Sequence, residues 1–100
     1  GPVLFQGDLN HRHQTPEYAA WVEAGLVDIG ALKGIGDKPT SPSIRPANRI
    51  DYIWATPELA KAAQSAEVLD KPPFVPEPAA PSSYALSDHL PVTAEFLIEE

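Results

Sequence analysis

The strand that the sequence indicates most clearly, Ile50 to Ala55, carries large apolar side chains on both of its faces. Side chains alternate along a strand, so Tyr52 and Trp54 lie on one face while Ile53 and Ala55 lie on the other. A strand that is apolar on both faces belongs in a sheet with other layers packed against each side. The fold must therefore provide two covering layers for this strand.

The size of the chain limits how many layers it can provide. A chain of 100 residues forms one small domain, which buries only about 60–70% of its unfolded surface. The 43% content of hydrophobic residues is enough for a folded core and too high for a disordered acidic segment.

No apolar run approaches the roughly 20 residues of a membrane-spanning helix. The absence of cysteine excludes a disulfide scaffold and a cysteine-ligated metal site, and it leaves the compartment open.

The other predicted elements are short. Thr-Pro-Glu sequences at Thr15 and Thr56 each supply an N-cap, a proline at the first helical position and an acid in the first turn, so they predict two helix starts. The predicted strands cover residues 3–6, 66–69 and 92–98, and the predicted helices cover 16–24 and 57–64. Breaker residues predict a long loop over 30–48, and five prolines predict an extended segment outside the sheet over 71–81.

These elements suffice to cover only one side of the central strand. The two short helices can lie on one face, and no further element remains for the other. We therefore expect an α/β (α+β) fold with one mixed sheet and helices on one face, which is incomplete by itself. Gly1 and Pro2 resemble what a tag-removing protease leaves behind, so we expect the domain to begin at Val3.

Three polar clusters lie at the ends of predicted strands: Gly7-Asp8-Leu9-Asn10, Arg49-Ile50-Asp51-Tyr52 and Ser87-Asp88-His89. The first alone is compatible with an ordinary turn, and the third alone with a loop that caps itself. Asp51 is more informative, because a carboxylate among apolar strand residues needs a partner. His89 is the partner we infer, since a buried Asp that holds a His in one tautomer recurs in catalytic sites.

In this order, and with Leu90-Pro91-Val92 after the third cluster, these motifs resemble the endonuclease/exonuclease/phosphatase superfamily. This is the fold of pancreatic-DNase-like nucleases, sphingomyelinases and inositol-polyphosphate phosphatases. The resemblance spans residues 3–100 and corresponds to the C-terminal half of the family domain. It implies a four-layer α/β sandwich, in which a sheet from an upstream N-terminal half supplies the missing cover.

The resemblance also implies the metal-dependent hydrolysis of a phosphoester by a phosphodiesterase, phosphatase or nuclease. His89 would act on the scissile phosphate as a base or as a stabiliser of charge, and Asp51 would fix the orientation of its ring. Asp8 would position or deprotonate the attacking water and contribute to the metal site. Asn10 would hold the phosphate, and Asp88 would contribute to the binding of Mg²⁺ or Mn²⁺.

Two parts of the family pattern have no counterpart in this sequence. The principal metal-binding Glu of the family and a further phosphate-contacting His lie upstream of the strand that leads to Asp8. The resemblance therefore implies that the chain alone is inactive and that it binds no metal tightly. The alternative interpretation is a non-catalytic interaction module that retains the motif residues for structural reasons.

Several other polar residues have weaker claims to a role at the site. His11 and His13 have the spacing of a ligand pair, but we favour a solvated loop in which Arg12 contacts a phosphate of the substrate. For Arg45 and Arg49, the sequence does not decide between a role in substrate binding and a role in stabilising the structure. The two tryptophans, Trp21 and Trp54, are interpreted as core residues rather than as substrate platforms.

The charge and the uncovered sheet face suggest partners. A net charge of −7 and scattered basic residues argue against a self-sufficient nucleic-acid binder, so we prefer a small or lipid-linked phosphoester over duplex DNA. We expect the upstream half, or a second copy of the chain in a homodimer, to cover the open face. Family members of this kind are often bacterial and sometimes membrane-tethered or extracytoplasmic, but no residue here decides the localisation.

Overall fold

The computed structural model of the chain describes residues 2–43, 46–72, 74–75 and 89–98. The elements within these ranges are β1 (Leu4–Asp8), α1 (Pro16–Glu23), β2 (Val27–Asp28), α2 (Ile29–Leu32), β3 (Asp51–Ala55), α3 (Pro57–Ala60), β4 (Ala63–Val68) and β5 (Val92–Phe96). Strands β1, β3 and β2 form an antiparallel sheet in that order, and β4 and β5 form a second antiparallel sheet. The helices of the described ranges are too short or too polar to cross a membrane.

The α+β class is as predicted, but the arrangement of the strands differs from the expected single mixed sheet. All pairings among the described strands are antiparallel and they form two sheets, because β4 and β5 pair with each other and not with β3. Helices also contribute to both faces of β3 rather than to one. These two differences change how the central strand is covered.

Helix α1 covers the face of β3 that carries Tyr52 and Trp54. The ring of Tyr18 lies 5.1 Å from that of Trp54 between centroids, and the ring of Trp21 stacks on Trp54 at 5.7 Å. Phe5, on the neighbouring strand β1, contacts Trp21 edge-on at 5.5 Å. Trp54 has no exposed surface. Trp54 is therefore a core residue, as the sequence predicts, and the half-buried Trp21 packs against it.

The opposite face of β3 is covered within the chain, so the expectation of an open face is wrong. Ile53 and Ala55 are buried in one cluster with Ile29 of α2 and Ala60 of α3. The second sheet completes this cover with Ala63, Ala66, Val92, Ala94 and Phe96. The prediction of one mixed sheet does not provide this layer, because β4 and β5 form a separate sheet that packs on the central one.

Several element boundaries differ from the predicted ones. Strand β1 continues past residue 6 to Asp8, and α2 begins the region 30–48 that was predicted as loop. The predicted second helix, 57–64, ends at Ala60, because the chain from Ala63 pairs with β5. The predicted extended segment 71–81 lies mostly outside the described residues.

The two Thr-Pro-Glu sequences use their threonines differently. The hydroxyl of Thr15 accepts the backbone N–H of Tyr18 at 3.2 Å, which is the predicted N-cap of α1. Thr56 makes no such cap, and its hydroxyl accepts the backbone N–H of Val3 at 3.1 Å. The second threonine thus joins the start of the chain to the end of β3.

A buried ion pair joins the segment before β3 to the start of α2. Arg49 donates to the carboxylate of Asp28, and both side chains are more than nine-tenths buried. The Tyr18 hydroxyl donates to the second oxygen of Asp28 at 2.8 Å, and the guanidinium lies 4.7 Å from the centroid of the Tyr52 ring. A Cβ at position 30 would come within 2.6 Å of this guanidinium, so Gly30 provides the space for it. Arg49 therefore has a structural role.

The half-buried Tyr18 and the buried Tyr52 predict that the fold loses stability at high pH. Burial raises the pKa of Tyr18 and of Tyr52 to about 12, and the Asp28 carboxylate adds to the rise in both. An unfolded tyrosine ionises near pH 10, so between about pH 10 and 12 the unfolded state releases protons that the folded state keeps. The free energy of unfolding must therefore fall as the pH rises through this window.

An absorbance titration at the tyrosinate band, followed together with circular dichroism, measures this effect. We expect Tyr18 and Tyr52 to ionise above pH 10, together with the loss of ellipticity. Ionisation of all three tyrosines of the chain near pH 10 with unchanged ellipticity would contradict the burial of Tyr18 and Tyr52.

Candidate active site

The register of β1 and β3 places two aspartates directly opposite each other. Asp8 is the last residue of β1, and it pairs with Asp51, the first residue of β3. Cross-strand partners project from the same face of the sheet, so the two carboxylates meet at its end. Like charges in this position repel each other, and a cationic or proton-donating group between them would relieve the repulsion.

His89 lies next to both carboxylates. Its Nδ1 is 2.9 Å from Oδ2 and 3.2 Å from Oδ1 of Asp51, and its Nε2 is 3.6 Å from Oδ2 of Asp8. The first contact is a hydrogen bond in which Nδ1–H donates to the carboxylate, whereas the contact with Asp8 is too long for one. The hydrogen bond between Asp51 and His89 that the sequence analysis inferred is therefore present.

The three side chains differ in their access to solvent. The side chain of Asp51 is 14% exposed, that of His89 is 27% exposed and that of Asp8 is 47% exposed. Asp51 and His89 also line a cleft of about 310 Å³ that continues along Gln6 and Val92. Asp51 is thus the most enclosed member of the group, while the imidazole and Asp8 lie towards the open side.

Asn10 lies in the turn that follows β1. Its φ of 55° is in the left-handed region, which asparagine adopts more readily than most residues. Oδ1 of Asp8 accepts the backbone N–H of Asn10 at 2.8 Å, so the carboxylate stabilises the turn. Within the described part of the chain the side-chain amide of Asn10 has no hydrogen-bond partner.

Thr40 connects the start of β3 to the segment that carries His89. The sequence alone does not predict this role. Its hydroxyl accepts the backbone N–H groups of Ile50 and Asp51, both at 3.2 Å. Its carbonyl oxygen accepts the backbone N–H of Leu90 at 2.7 Å. The start of β3 and the segment that carries His89 are thereby bound to one residue. The surrounding residues carry no periodic pattern that would have identified it.

Of the other predicted residues that the structure describes, His11 and His13 are not brought into this group. Asp88 and Arg45 lie outside the described residues. The ring of His11 stacks on that of Tyr52 at 4.9 Å, and its Nε2 is buried. The favoured interpretation of a solvated loop therefore applies to the exposed His13 and not to His11.

The same cluster contains the atoms that could hold a metal ion. Among the described residues, one ligand atom each from Asp8, Asp51 and His89 lies within 4.8 Å of the others. Ligation by all three would compete with the hydrogen bond between Asp51 and His89. If that bond is kept, the Asp8 carboxylate is the member that fits a hard cation such as Mg²⁺, which prefers oxygen ligands.

Comparison with known proteins agrees with the motifs. The model of the Endonuclease/Exonuclease/phosphatase family matches residues 1–89, a range that includes Asp8, Asp51 and His89. No curated protein and no solved structure matches the chain. Proteins of the matched family are generally hydrolases and typically use a divalent metal ion. The chain belongs to the endonuclease/exonuclease/phosphatase family.

Proposed function

We propose that the chain carries the catalytic His–Asp pair of a metal-dependent phosphoester hydrolase. The observation that supports this proposal most directly is the position of His89, which is hydrogen-bonded to Asp51 and faces Asp8 at the end of one sheet. Membership of a family of hydrolases supports the reaction class.

In this proposal His89 moves a proton at Nε2 while Nδ1–H stays bound to Asp51. The Asp51 carboxylate fixes the tautomer and the orientation of the ring, and it stabilises the imidazolium that forms when Nε2 takes up a proton. The separation of 3.6 Å between Nε2 and Oδ2 of Asp8 allows one water molecule to hydrogen-bond to both atoms. Such a water would have a proton acceptor on each side.

The metal and the phosphate have separate sets of residues in this proposal. Asp8 and, by the family resemblance, Asp88 would hold Mg²⁺ or Mn²⁺. When bound, the cation would neutralise charge on the phosphate and lower the pKa of a coordinated water. The amide of Asn10 would donate to a phosphate oxygen, and Arg12 would contact the substrate beyond it. The net charge of −7 favours a small or lipid-linked phosphoester over duplex DNA.

We also propose that the chain acts as the C-terminal half of a DNase-like sandwich. The metal-binding Glu and the second His of the family pattern precede the position of Asp8, and the residues before Asp8 in this sequence include neither. Magnesium sites combine one or two carboxylates with substrate phosphate and water, so one exposed carboxylate binds the ion weakly. The chain alone is therefore expected to turn over little substrate.

Hydrolysis of bis-p-nitrophenyl phosphate in the presence of Mg²⁺ tests the proposal. The chain is assayed alone and joined to the upstream half of a family member, and we expect EDTA-sensitive turnover only in the second case. His89→Ala should abolish turnover, and Asp51→Asn should lower kcat by up to about 10⁴-fold, because it removes control of the tautomer. A folded joined protein that cleaves nothing, or a His89→Ala variant that still cleaves, would favour the interaction module.

Thr40 provides a second test within the same assay. Thr40→Val removes the hydroxyl that binds the N–H groups of Ile50 and Asp51, whereas Thr40→Ser keeps it. We expect the valine variant to lose about 1–3 kcal/mol of stability, and to lose kcat more than it changes KM, because Asp51 is displaced relative to His89. Equal kinetics of the two variants would show that Thr40 does not position the pair.

The homodimer stays a prediction, and the structure changes the surface on which it can form. Both faces of β3 are covered, but Leu4 and Phe5 of β1 and the preceding Val3 are 41–46% exposed. In the described sheet β1 is an edge strand, whose free N–H and C=O groups can pair with another strand. We therefore propose that a second copy pairs along β1.

Light scattering on the purified chain measures the mass that this pairing predicts. We expect a mass near twice 10.8 kDa at micromolar concentration. Phe5→Lys should shift the equilibrium to the monomer, because it places a charge on the proposed edge. A monomer of 10.8 kDa for the unaltered chain would refute the dimer.

A further inference from the structure

A hydrogen bond joins the two sheets next to the candidate active site. The side-chain amide of Gln6, on β1, donates from Nε2 to the carbonyl oxygen of Val92, the first residue of β5, at 3.2 Å. Gln6 lies two residues before Asp8, and Val92 lies three residues after His89. The bond therefore links the strand that carries one member of the group to the segment that carries another.

Gln6 projects from the same face of the sheet as Asp8, because side chains two residues apart on a strand share a face. The register pairs Gln6 with Ile53 and Asp8 with Asp51. Ile53 packs against residues of β5, so this is the face that the second sheet covers. Both side chains of β1 are thus directed towards the sheet that follows His89 in the chain.

The hydrogen bond crosses the cleft that adjoins the catalytic group. One wall of this cleft of about 310 Å³ is formed by residues 6–7 and 51–52, and the other wall is formed by residues 89–92. A bond from Gln6 to Val92 connects the two walls. It therefore limits how far they can separate.

Two different residues hold the His89 segment relative to the two aspartates. Thr40 binds this segment to the start of β3, where Asp51 lies. Asp8 ends an edge strand, and its contact with Nε2 of His89, at 3.6 Å, is too long for a hydrogen bond. This contact does not hold itself in place, and the bond made by Gln6 is the one that connects β1 directly to the His89 side of the cleft.

We infer that Gln6 is a positioning residue, which sets the distance between Nε2 of His89 and the carboxylate of Asp8. The inference rests on the proposed function, in which one water molecule hydrogen-bonds to both of these groups. Gln6 acts in this role through the backbone of Val92 and not on the water itself.

NMR of the ¹⁵N-labelled chain alone measures how strongly Asp8 affects the His89 ring. Asp8→Asn removes the neighbouring charge, and we expect it to shift the ring ¹H–¹⁵N signals of His89 at constant pH. Gln6→Met keeps the length of the side chain and removes the donor. In this background we expect the shift caused by Asp8→Asn to fall to less than about half, because water enters the widened gap and screens the charge. The proton on Nδ1 should stay in place, since Thr40 still holds Asp51.

Gln64→Met is the matched control. Gln64 is also an exposed glutamine on a strand, but its Nε2 donates to the carbonyl oxygen of Ala62, two residues away, at 3.3 Å. We expect Gln64→Met to leave the effect of Asp8→Asn unchanged. Gln6→Asn is a second test variant that keeps a polar amide but is one methylene group shorter, and it should reproduce Gln6→Met.

Kinetics of the protein joined to an upstream half measure the consequence for the reaction. Gln6→Met should lower kcat by about tenfold or more and change KM by less than about twofold, because a misplaced water reacts slowly while the substrate still binds. Gln64→Met should change neither constant.

A ring shift on Asp8→Asn that is equal in the unaltered and Gln6→Met chains, or that is absent from the unaltered chain, would overturn the inference. An unchanged kcat of Gln6→Met in a joined protein that cleaves would also overturn it. A joined protein that cleaves nothing would refute the hydrolase, and the NMR result from the chain alone would still decide the role of Gln6.

Discussion

The opposition of Asp8 and Asp51 across β1 and β3 is the constraint on which the candidate site depends. A slip of one residue in this pairing would move one aspartate to the other face of the sheet. The aromatic contacts on that other face, where Phe5 pairs with Trp54, oppose such a slip. The two carboxylates can therefore stay opposed, with the His89 ring beside both of them.

The sequence predicts the parts of this arrangement that depend on local patterns. The two-sided apolar pattern of β3 predicts a strand with a layer on each side, and the capping chemistry at Thr15 predicts the start of α1. The pairing of Asp51 with His89 could be inferred because a carboxylate in an apolar strand needs a partner.

The features of the fold that the sequence does not predict depend on contacts between distant residues. The alanine-rich pattern after Thr56 predicts a helix that extends to residue 64, but the chain from Ala63 pairs with β5, and this pairing overrides the helical preference. Asp28 and Thr40 find their partners about 20 and 50 residues away, respectively, and no local pattern indicates such contacts.

The tautomer of His89 is the decisive property of the site, because every proposed step requires the proton on Nδ1 to be held by Asp51. Long-range ¹H–¹⁵N NMR of the histidine rings distinguishes the two tautomers without any substrate or metal. We expect neutral His89 to carry its proton on Nδ1, and Asp51→Asn to abolish this preference while the fold remains intact. A His89 ring protonated on Nε2, or one that behaves like the exposed ring of His13 with and without Asp51, would contradict the account.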